Sequence, residues 1–372
     1  MALKKIRLGD YLIPLKEKCG ISNLTPYEIS GINRDKEFFE PSRQTGEDTT
    51  NYKNVPPHYF ACNLMHVGRD IVLPIAYNHT NTLKHVSPAY SIFRIKDNPD
   101  LLEYYFFIYL KSKERDRYFW FNTDGSIRDG MTWEDLCNVE LNIPSLPIQQ
   151  KYVNVYNAMV ENQKCYERGL EDLKLTCEAY IENIKKSTKA EPIIPYLKER
   201  YETNKSGEIN FMRGVGLKGF IEPNQKRTKE SLRKCNIFYR GDFIYAPSSF
   251  KNGVISYNNY FEKAICTEEY IVFYIKNLKK LNPYYLLMWL KRKQLGRYID
   301  FVSCDSVRNR FYFKDLNIIE IPIPEINIQN KISDVYKIYL QRKEINEQLK
   351  NQLKDICPIL IKGSIEEARK GD

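Results

Sequence analysis

One stretch of this chain has the residue types of a cofactor site. Residues 214–219 read Gly-Val-Gly-Leu-Lys-Gly and match the G-x-G-x-x-G pattern, which cradles a pyrophosphate when a strand precedes it and a helix follows. Here Phe220-Ile221-Glu222-Pro223 follows, a sequence typical of a strand and a turn. We therefore interpret residues 214–219 as a glycine-rich turn between strands and predict no nucleotide site there.

A second stretch looks like part of a methyl-transfer site. Asn282-Pro283-Tyr284-Tyr285 is one proline short of the Asn-Pro-Pro-Tyr loop of amino-methyltransferases. Its counterpart Asn98-Pro99-Asp100 lacks the aromatic residues, and a helical pattern begins directly after both sequences. An asparagine cap followed by proline at the first helical position explains both. We predict a helix start and no catalysis at either place.

Metal ligands and nucleophiles are not arranged as sites either. The four histidines all lie in the first half of the chain, and none has a partner at a metal-ligand spacing: His58, His66, His79 and His85. The sequence also contains no P-loop and no nucleophile elbow. We predict that this chain holds no catalytic residue, no metal and no cofactor.

Basic and amide side chains in loops favour contacts with nucleic acid. Lys and Arg suit phosphates, whereas Arg, Asn, Gln, Ser and Thr suit base edges. A charge run is usually a solvated face, but these residues recur at matching places in the two halves of the chain. Matched lysines and arginines also occur at the helix ends 111–117 and 291–297. The candidate DNA-binding residues are Arg34, Lys36, Arg43, Gln44, Ser126 and Arg128 in the first half, and Lys218, Gln225, Lys226, Arg227, Lys229, Ser306, Arg308 and Arg310 in the second.

The composition permits a polyanionic partner. Lys and Arg total 57 against 47 Asp and Glu, a formal net charge of +10, which allows such a partner without proving it. The nine cysteines include no C-x-x-C pair, which favours reduced thiols over disulfides or zinc. We see no secretory signal and no apolar run long enough to span a membrane. We therefore expect a cytoplasmic protein.

Two long amphipathic helices must position these loops. Residues 143–151 read Ile-Pro-Ser-Leu-Pro-Ile-Gln-Gln-Lys, and residues 323–331 read Ile-Pro-Glu-Ile-Asn-Ile-Gln-Asn-Lys, at an offset of 180 residues. Each leads into a helical pattern of roughly 40 residues with a narrow apolar face, which favours a coiled coil. The predicted helix seam, which also serves for partner binding, comprises Ile148, Tyr152, Val155, Met159 and Leu173 in the first helix, and Ile328, Ile332, Val335, Leu349, Leu353 and Ile356 in the second.

The constant offset indicates a tandem duplication. Short strand patterns, a helical run and a final strand occur in this order in residues 1–147 and again in residues 189–327, which predicts α+β domains. The long helices occupy 148–188 and 328–372. Because the chain leaves the first domain along one helix and returns from the second along the other, we predict an antiparallel pair with a globular domain at each end.

The repeated motifs resemble those of the specificity subunit of type I restriction–modification systems. The first copy contains Gly125-Ser126-Ile127-Arg128, Asp135-Leu136, Ile143-Pro144 and Gln149-Gln150-Lys151. The second copy contains Ser306-Val307-Arg308, Asp315-Leu316, Ile323-Pro324 and Gln329-Asn330-Lys331. Asp305 replaces the glycine before Ser306, and Asn330 replaces the second glutamine.

The resemblance implies two tandem target recognition domains joined by two long antiparallel coiled-coil helices, with a pseudo-two-fold internal repeat. It implies a non-catalytic subunit that reads a bipartite double-stranded DNA target with two half-sites. It also implies two partner methyltransferase subunits, which bring S-adenosylmethionine. A restriction and translocase subunit is a further partner that the resemblance allows. Two alternatives stay open. One is an adenine-specific DNA methyltransferase in its own right, and the other is a structural coiled-coil protein without a nucleic-acid role.

Overall fold

The computed structural model describes residues 3–40, 48–97, 100–123, 130–223, 228–302 and 310–370. The chain divides into two compact units. Unit 1 consists of Met1–Cys165 together with Asn346–Asp372, and unit 2 consists of Tyr166–Ile345. Each unit therefore contains a mixed α/β region and one part of each long helix.

Unit 1 is built around a four-stranded antiparallel sheet in the order β2-β9-β6-β7. Three further pairs of strands, β1–β10, β3–β4 and β5–β8, are antiparallel as well. Its strands are β1 Lys4–Arg7, β2 Leu12–Leu15, β3 Gly31–Ile32, β4 Phe38–Phe39, β5 Lys53–Val55, β6 Phe60–Cys62, β7 Ile75–Tyr77, β8 Lys84–Val86, β9 Ser91–Ile95 and β10 Glu140–Ile143. Its helices are α1 Val67–Asp70, α2 Glu103–Leu110, α3 Lys113–Phe121, α4 Trp133–Asn138 and the first part of α5, Leu146–Ser187.

Unit 2 repeats this topology with a sheet in the order β12-β19-β16-β17 and the antiparallel pairs β11–β20, β13–β14 and β15–β18. Its strands are β11 Ala190–Pro192, β12 Leu197–Glu199, β13 Gly214–Gly216, β14 Gly219–Ile221, β15 Asn236–Tyr239, β16 Asp242–Tyr245, β17 Ile255–Tyr257, β18 Lys263–Cys266, β19 Ile271–Ile275 and β20 Glu320–Pro322. Its helices are α6 Lys229–Arg233, α7 Pro283–Leu290, α8 Lys293–Val302 and the first part of α9, Ile326–Lys370.

A stacked aromatic pair lies at the centre of each four-stranded sheet. Phe60 and Phe93 face each other on neighbouring strands with ring centroids 5.2 Å apart and an interplanar angle of 7°. Phe243 and Phe273 do the same at 5.0 Å and 7°. Cross-strand aromatic pairs stabilise a sheet beyond the apolar area they bury. The matching pairs confirm the predicted internal repeat and the α+β fold.

The long helices pack against each other antiparallel within each unit. In unit 1, Lys151 Nζ lies 2.8 Å from Glu367 Oε2, and Gln163 Nε2 donates to Asn346 Oδ1 at 3.0 Å. In unit 2, residues of α5 and α9 share one apolar cluster: Cys177, Ile181, Ile184, Ile332 and Tyr336. The sequence position rises along one helix as it falls along the other, so the predicted antiparallel pair is confirmed.

The phase of the helix seam differs from the prediction. Val155 and Ile328 are each 44% exposed and do not lie in the seam, whereas Gln149 and Gln329 are fully buried. The buried face of α5 in unit 1 runs through Gln149, Val153, Tyr156 and Gln163. Polar residues at buried positions concealed this phase, because an apolar pattern cannot indicate a glutamine that is buried with its hydrogen-bond partners.

The other predicted seam residues lie at or beside this face. Ile332 is buried. The half-buried ones are Ile148, Tyr152, Met159, Leu173, Val335, Leu349, Leu353 and Ile356. Tyr152, Leu353 and Ile356 pack against the core of unit 1, and Val335 packs against that of unit 2.

Candidate nucleic-acid interface

Most of the predicted DNA-reading loops lie outside the described residues. This holds for Arg43, Gln44, Ser126, Arg128, Gln225, Lys226, Arg227, Ser306 and Arg308. The predicted residues that the structure does place are Arg34, Lys36, Lys218, Lys229 and Arg310.

The Asp-Leu motif positions the backbone just after the Ser-x-Arg sequence in both units. The carboxylate of Asp135 accepts hydrogen bonds from the backbone N–H of Thr132 at 2.8 Å and from its hydroxyl at 2.6 Å. In unit 2, the carboxylate of Asp315 accepts from the backbone N–H of Tyr312 at 2.7 Å. Leu136 and Leu316 are completely buried behind these caps. The motif therefore anchors the chain where it re-enters each core.

Lys36 is a correction to the predicted DNA contacts, because its side chain is buried and only 3% of the residue is exposed. Its ammonium donates to Asp116 Oδ1 at 2.7 Å and to the Leu110 carbonyl oxygen. Asp116 Oδ1 also accepts from the Leu73 N–H at 3.0 Å. Burial lowers the pKa of Lys36, and Asp116 opposes that shift. Lys36 thus joins the β3–β4 turn to α2 and α3 and does not face a ligand.

The remaining predicted cations are on the surface. Arg34 Nη2 lies 3.4 Å from Asp70 Oδ1, and the Arg34 side chain is 74% exposed. Lys218 is exposed in the turn between β13 and β14, and Lys229 is exposed at the start of α6. Exposed cations of this kind suit phosphates.

The glycine-rich stretch is a β-hairpin. Gly214 pairs with Ile221 and Gly216 pairs with Gly219 in register, which confirms the predicted turn between strands. Gly219 adopts a φ of 128°, in the region that disfavours residues with a Cβ. Since a strand follows the glycines, the stretch does not present a helix N-terminus to a phosphate.

Asn282 is a helix cap, as the sequence predicts. Its Oδ1 accepts from the backbone N–H groups of Tyr284 at 2.9 Å and Tyr285 at 3.2 Å, and Pro283 is the first residue of α7. Ser333 of α9 donates a further hydrogen bond to the same oxygen at 2.8 Å. The counterpart residues Asn98 and Pro99 lie outside the described residues.

Unit 2 contains a polar cleft of about 1260 Å³ that sequence reasoning did not predict. Arg310 and Lys314 are the cations on one side of the cleft. The Phe311 N–H between them donates to the Pro247 carbonyl oxygen at 3.0 Å, which joins this side to the turn after β16. Further polar residues line the cleft: Asn236, Ser248, Ser249, Thr267, Glu199, Glu268 and Glu269. Side chains of these types match the donors and acceptors on base edges. These residues lie far apart in the sequence, so only Arg310 carried a signal.

One wall of the cleft is rigid. Arg200 Nε and Nη2 donate to the two carboxylate oxygens of the buried Asp242, at 2.8 and 3.0 Å. The guanidinium also lies 4.9 Å from the ring centroids of both Tyr239 and Tyr274. A bidentate pair held between two rings has little freedom to rearrange. Arg200 therefore shapes the cleft, and the lining cations Arg310 and Lys314 are exposed to solvent.

The described part of the chain contains no grouping of His, Cys, Asp and Glu suited to a metal ion. Within the same residues, no helix is both long enough and apolar enough to cross a membrane.

Comparisons with known proteins agree with this architecture. Residues 183–355 match the family model of the type I restriction modification DNA specificity domain. The type I restriction–modification S subunit from M. genitalium has a TM-score of 0.59 at 13% identity, over 98% of this chain and 96% of that one, so the two share a fold. No curated protein matches the sequence.

Two further solved structures are similar at lower scores. The HsdS subunit from Thermoanaerobacter tengcongensis has a TM-score of 0.39 at 13% identity, over 98% of this chain and 96% of that chain. A chain from a structure on complex assembly and conformational transition of the type I R-M system has a TM-score of 0.46 at 14% identity, with 96% and 97% covered. Residues 183–355 are thus similar to the type I restriction modification DNA specificity domain, and the chain as a whole shares the fold of a solved S subunit.

Proposed function

We propose that this chain is the DNA-recognition subunit of a type I restriction–modification complex and that it reads a bipartite target. In this proposal, residues 1–147 and 189–327 are two target recognition domains, each of which reads one half-site. The cleft of unit 2 carries the proposal, because it combines base-edge donors and acceptors with the cations Arg310 and Lys314 inside the segment that matches the family. Arg310 directly follows residues 303–309 in the sequence, which include the predicted contacts Ser306 and Arg308.

We further propose that the chain itself is non-catalytic and that two methyltransferase subunits, which bring S-adenosylmethionine, dock on the long helices. Large apolar side chains on these helices support this docking, since they are exposed to solvent away from the seam. Val155, Leu175, Ile338 and Ile359 are 44%, 57%, 46% and 64% exposed. A restriction and translocase subunit would join the same assembly.

Methylation-site mapping of the complex reconstituted with its methyltransferase subunit tests the proposal. We expect Arg310→Ala combined with Lys314→Ala to weaken or relax recognition of one half-site and to leave the other unchanged. A lost base contact costs about 1–3 kcal/mol of discrimination. Lys279→Ala combined with Lys280→Ala removes the same charge from another exposed part of unit 2 and should leave both half-sites unchanged. Altered preference in both half-sites would contradict separate reading by two domains.

Two measurements distinguish the alternative functions. S-adenosylmethionine binding or methyl transfer by the chain alone would identify it as a methyltransferase in its own right. Failure of the assembled complex to bind duplex DNA at any salt concentration would instead favour a structural coiled-coil protein. The proposed function predicts neither outcome, and it predicts an affinity that falls steeply as salt rises.

A further inference from the structure

An exposed aromatic surface occurs at the same place in both units. It is the end of α3 in unit 1, formed by Arg117, Tyr118 and Phe121, and the end of α8 in unit 2, formed by Arg297, Tyr298 and Phe301. We call each set an aromatic ridge. The tyrosine precedes the phenylalanine by three residues and the arginine precedes it by four, so both border the phenylalanine on one side of the helix.

The ridges are exposed because the opposite face of each helix packs against the core. Phe121 and Phe301 are 85% and 77% exposed, while the helices are held to their cores by Phe119 and Ile299, which are 0% and 2% exposed. Tyr118 and Tyr298 are 41% and 45% exposed. A single exposed aromatic residue is ordinary. An exposed tyrosine and phenylalanine at equivalent positions of both units instead indicate a binding surface.

The polar side-chain groups of the ridges have no partners in the described part of the chain, and Tyr118 contacts the ring of Phe119. Among the residues that the structure describes, Arg117 and Arg297 form no ion pair and no hydrogen bond, and the hydroxyls of Tyr118 and Tyr298 form no hydrogen bond. By contrast, the neighbouring Lys113 pairs with Asp355 at 3.0 Å.

Identity at these positions is selective. The three ridge residues are the same in both units, as is the exposed lysine at the start of each helix, Lys113 and Lys293, whereas three other exposed pairs differ: Glu114 and Gln294, Trp120 and Asp300, and Asn122 and Val302. The ligand must therefore present the same chemistry to both units. Base edges differ between half-sites of different sequence, whereas the sugar–phosphate backbone is the same in both.

We propose that each aromatic ridge is a sequence-independent DNA contact, in which the arginine binds a phosphate and the phenylalanine packs on a deoxyribose of the backbone. This inference rests on the proposed function. Two observations favour DNA over a protein partner. Each ridge ends just before a Ser-x-Arg loop that is proposed to contact the target, and its only charge is an unpaired cation. In unit 2 the acidic neighbour Asp300 is paired with Lys251 at 2.7 Å, so it does not repel a phosphate.

The test uses the complete chain, assembled with its methyltransferase subunit, and a fluorescent duplex of arbitrary sequence. We expect Phe121→Ala with Phe301→Ala to weaken binding of this duplex about tenfold, because a contact with the backbone sugar carries no sequence information. Arg117→Ala with Arg297→Ala should weaken binding and lower the salt slope by about two, one for each phosphate contact. The mapped methylation sequence should stay unchanged in both variants.

Tyr27→Ala with Leu278→Ala is the matched control, since these side chains are 83% and 61% exposed and lie elsewhere on the two units. It should bind as the unmodified complex does. Unchanged affinity in both ridge variants would overturn the inference while leaving the proposed function intact. Loss of assembly with the methyltransferase, with DNA affinity kept, would assign the ridges to a protein partner and would also overturn it. An unmodified complex that does not bind the duplex would overturn the proposed function itself.

Discussion

The side chains of Gln149 and Gln329, 180 positions apart in the chain, make the same three hydrogen bonds, each within its own unit. Gln149 Nε2 donates to the carbonyl oxygens of Asp100 at 2.7 Å and Pro144 at 2.8 Å. Its Oε1 accepts from the Leu102 N–H at 2.9 Å. The first turn of α5 is thereby tied to the segment that leads into α2.

Gln329 reproduces this arrangement in unit 2. Its Nε2 donates to the carbonyl oxygens of Lys280 at 2.9 Å and Pro324 at 2.8 Å, and its Oε1 accepts from the Asn282 N–H at 2.9 Å. The glutamine of the Ile-Pro-x-x-x-x-Gln motif is thus a structural residue that sets the angle at which each long helix leaves its α/β region.

We expect Gln149→Leu to destabilise unit 1 by about 2–4 kcal/mol, because it leaves one N–H and two carbonyl groups without partners in a buried place. Hydrogen exchange of α2 would measure the effect, and Gln329→Leu should raise exchange of α7 in the same way. Gln150→Leu is the control, since the exposed Gln150 bonds only to Asn154 on its own helix. Equal exchange in Gln149→Leu and Gln150→Leu would contradict a structural role.

The buried pair of Lys36 and Asp116 should behave as a structural element. Lys36→Met leaves the Asp116 carboxylate buried without its counter-charge, which costs about 3–5 kcal/mol. Arg34→Met, two residues away, removes only an exposed ion pair and should cost about 0–1 kcal/mol. Chemical denaturation compares the two variants. A stable Lys36→Met variant with weakened DNA binding would restore the original prediction for this lysine.

The burial of Lys291 predicts that the stability of unit 2 depends on pH. Burial, together with the nearby charge of Lys343, lowers the pKa of Lys291 to about 8. In the unfolded chain the pKa is about 10.4, so between about pH 8 and 10 the unfolded state binds more protons and stability rises with pH. Below about pH 8 the folded state carries the buried charge at its full cost.

Lys291→Met should therefore stabilise unit 2 at neutral pH by on the order of 2 kcal/mol, and the gain should shrink toward pH 10. Lys111→Met is the matched control, because the Lys111 ammonium donates to the Tyr156 hydroxyl at 3.3 Å and should yield no such gain. Denaturation curves at several pH values measure both. The same pH-independent change in the two variants would show that charge burial is not the cause.

Under the proposed function, the paired helices set the length of the DNA spacer between the two half-sites. Gln163 contacts Asn346, so insertions after Cys165 in α5 and after Ile345 in α9 fall close to one level of the helix pair. Four residues such as Ala-Glu-Ala-Leu add about 6 Å and return the apolar face to within about 40°. At about 3.4 Å per base pair, the spacer should lengthen by one or two base pairs.

Methylation-site mapping of the doubly extended complex measures this spacer, and both half-site sequences should stay the same. Insertion into α5 alone should instead disrupt helix pairing, because only one side of the seam shifts. An active, doubly extended complex with the original spacer would show that these helices do not set the distance.

The repeat and the long helices were predictable because their signals are local. A helical apolar pattern, a proline at a helix start and a glycine-rich turn each depend on neighbouring residues, so the Asn282 cap and the 214–219 turn could be predicted without knowledge of the rest of the chain. The offset of 180 residues needs only comparison of the sequence with itself. These features identified the fold class and pointed to the family.

Burial of individual polar and aromatic residues depended on partners far away in the chain. Arg34 and Lys36 look alike in the sequence, but only Lys36 meets Asp116 and is buried. Gln149 is buried because Asp100 and Leu102 supply its hydrogen-bond partners, which moved the seam away from Val155. Conversely, Phe121 and Phe301 are of a residue type that is usually buried. They are exposed because Phe119 and Ile299, on the opposite helix face, pack into the core. The sequence determined the elements and their repetition, and the long-range contacts between elements decided which side chains remained free to bind a ligand.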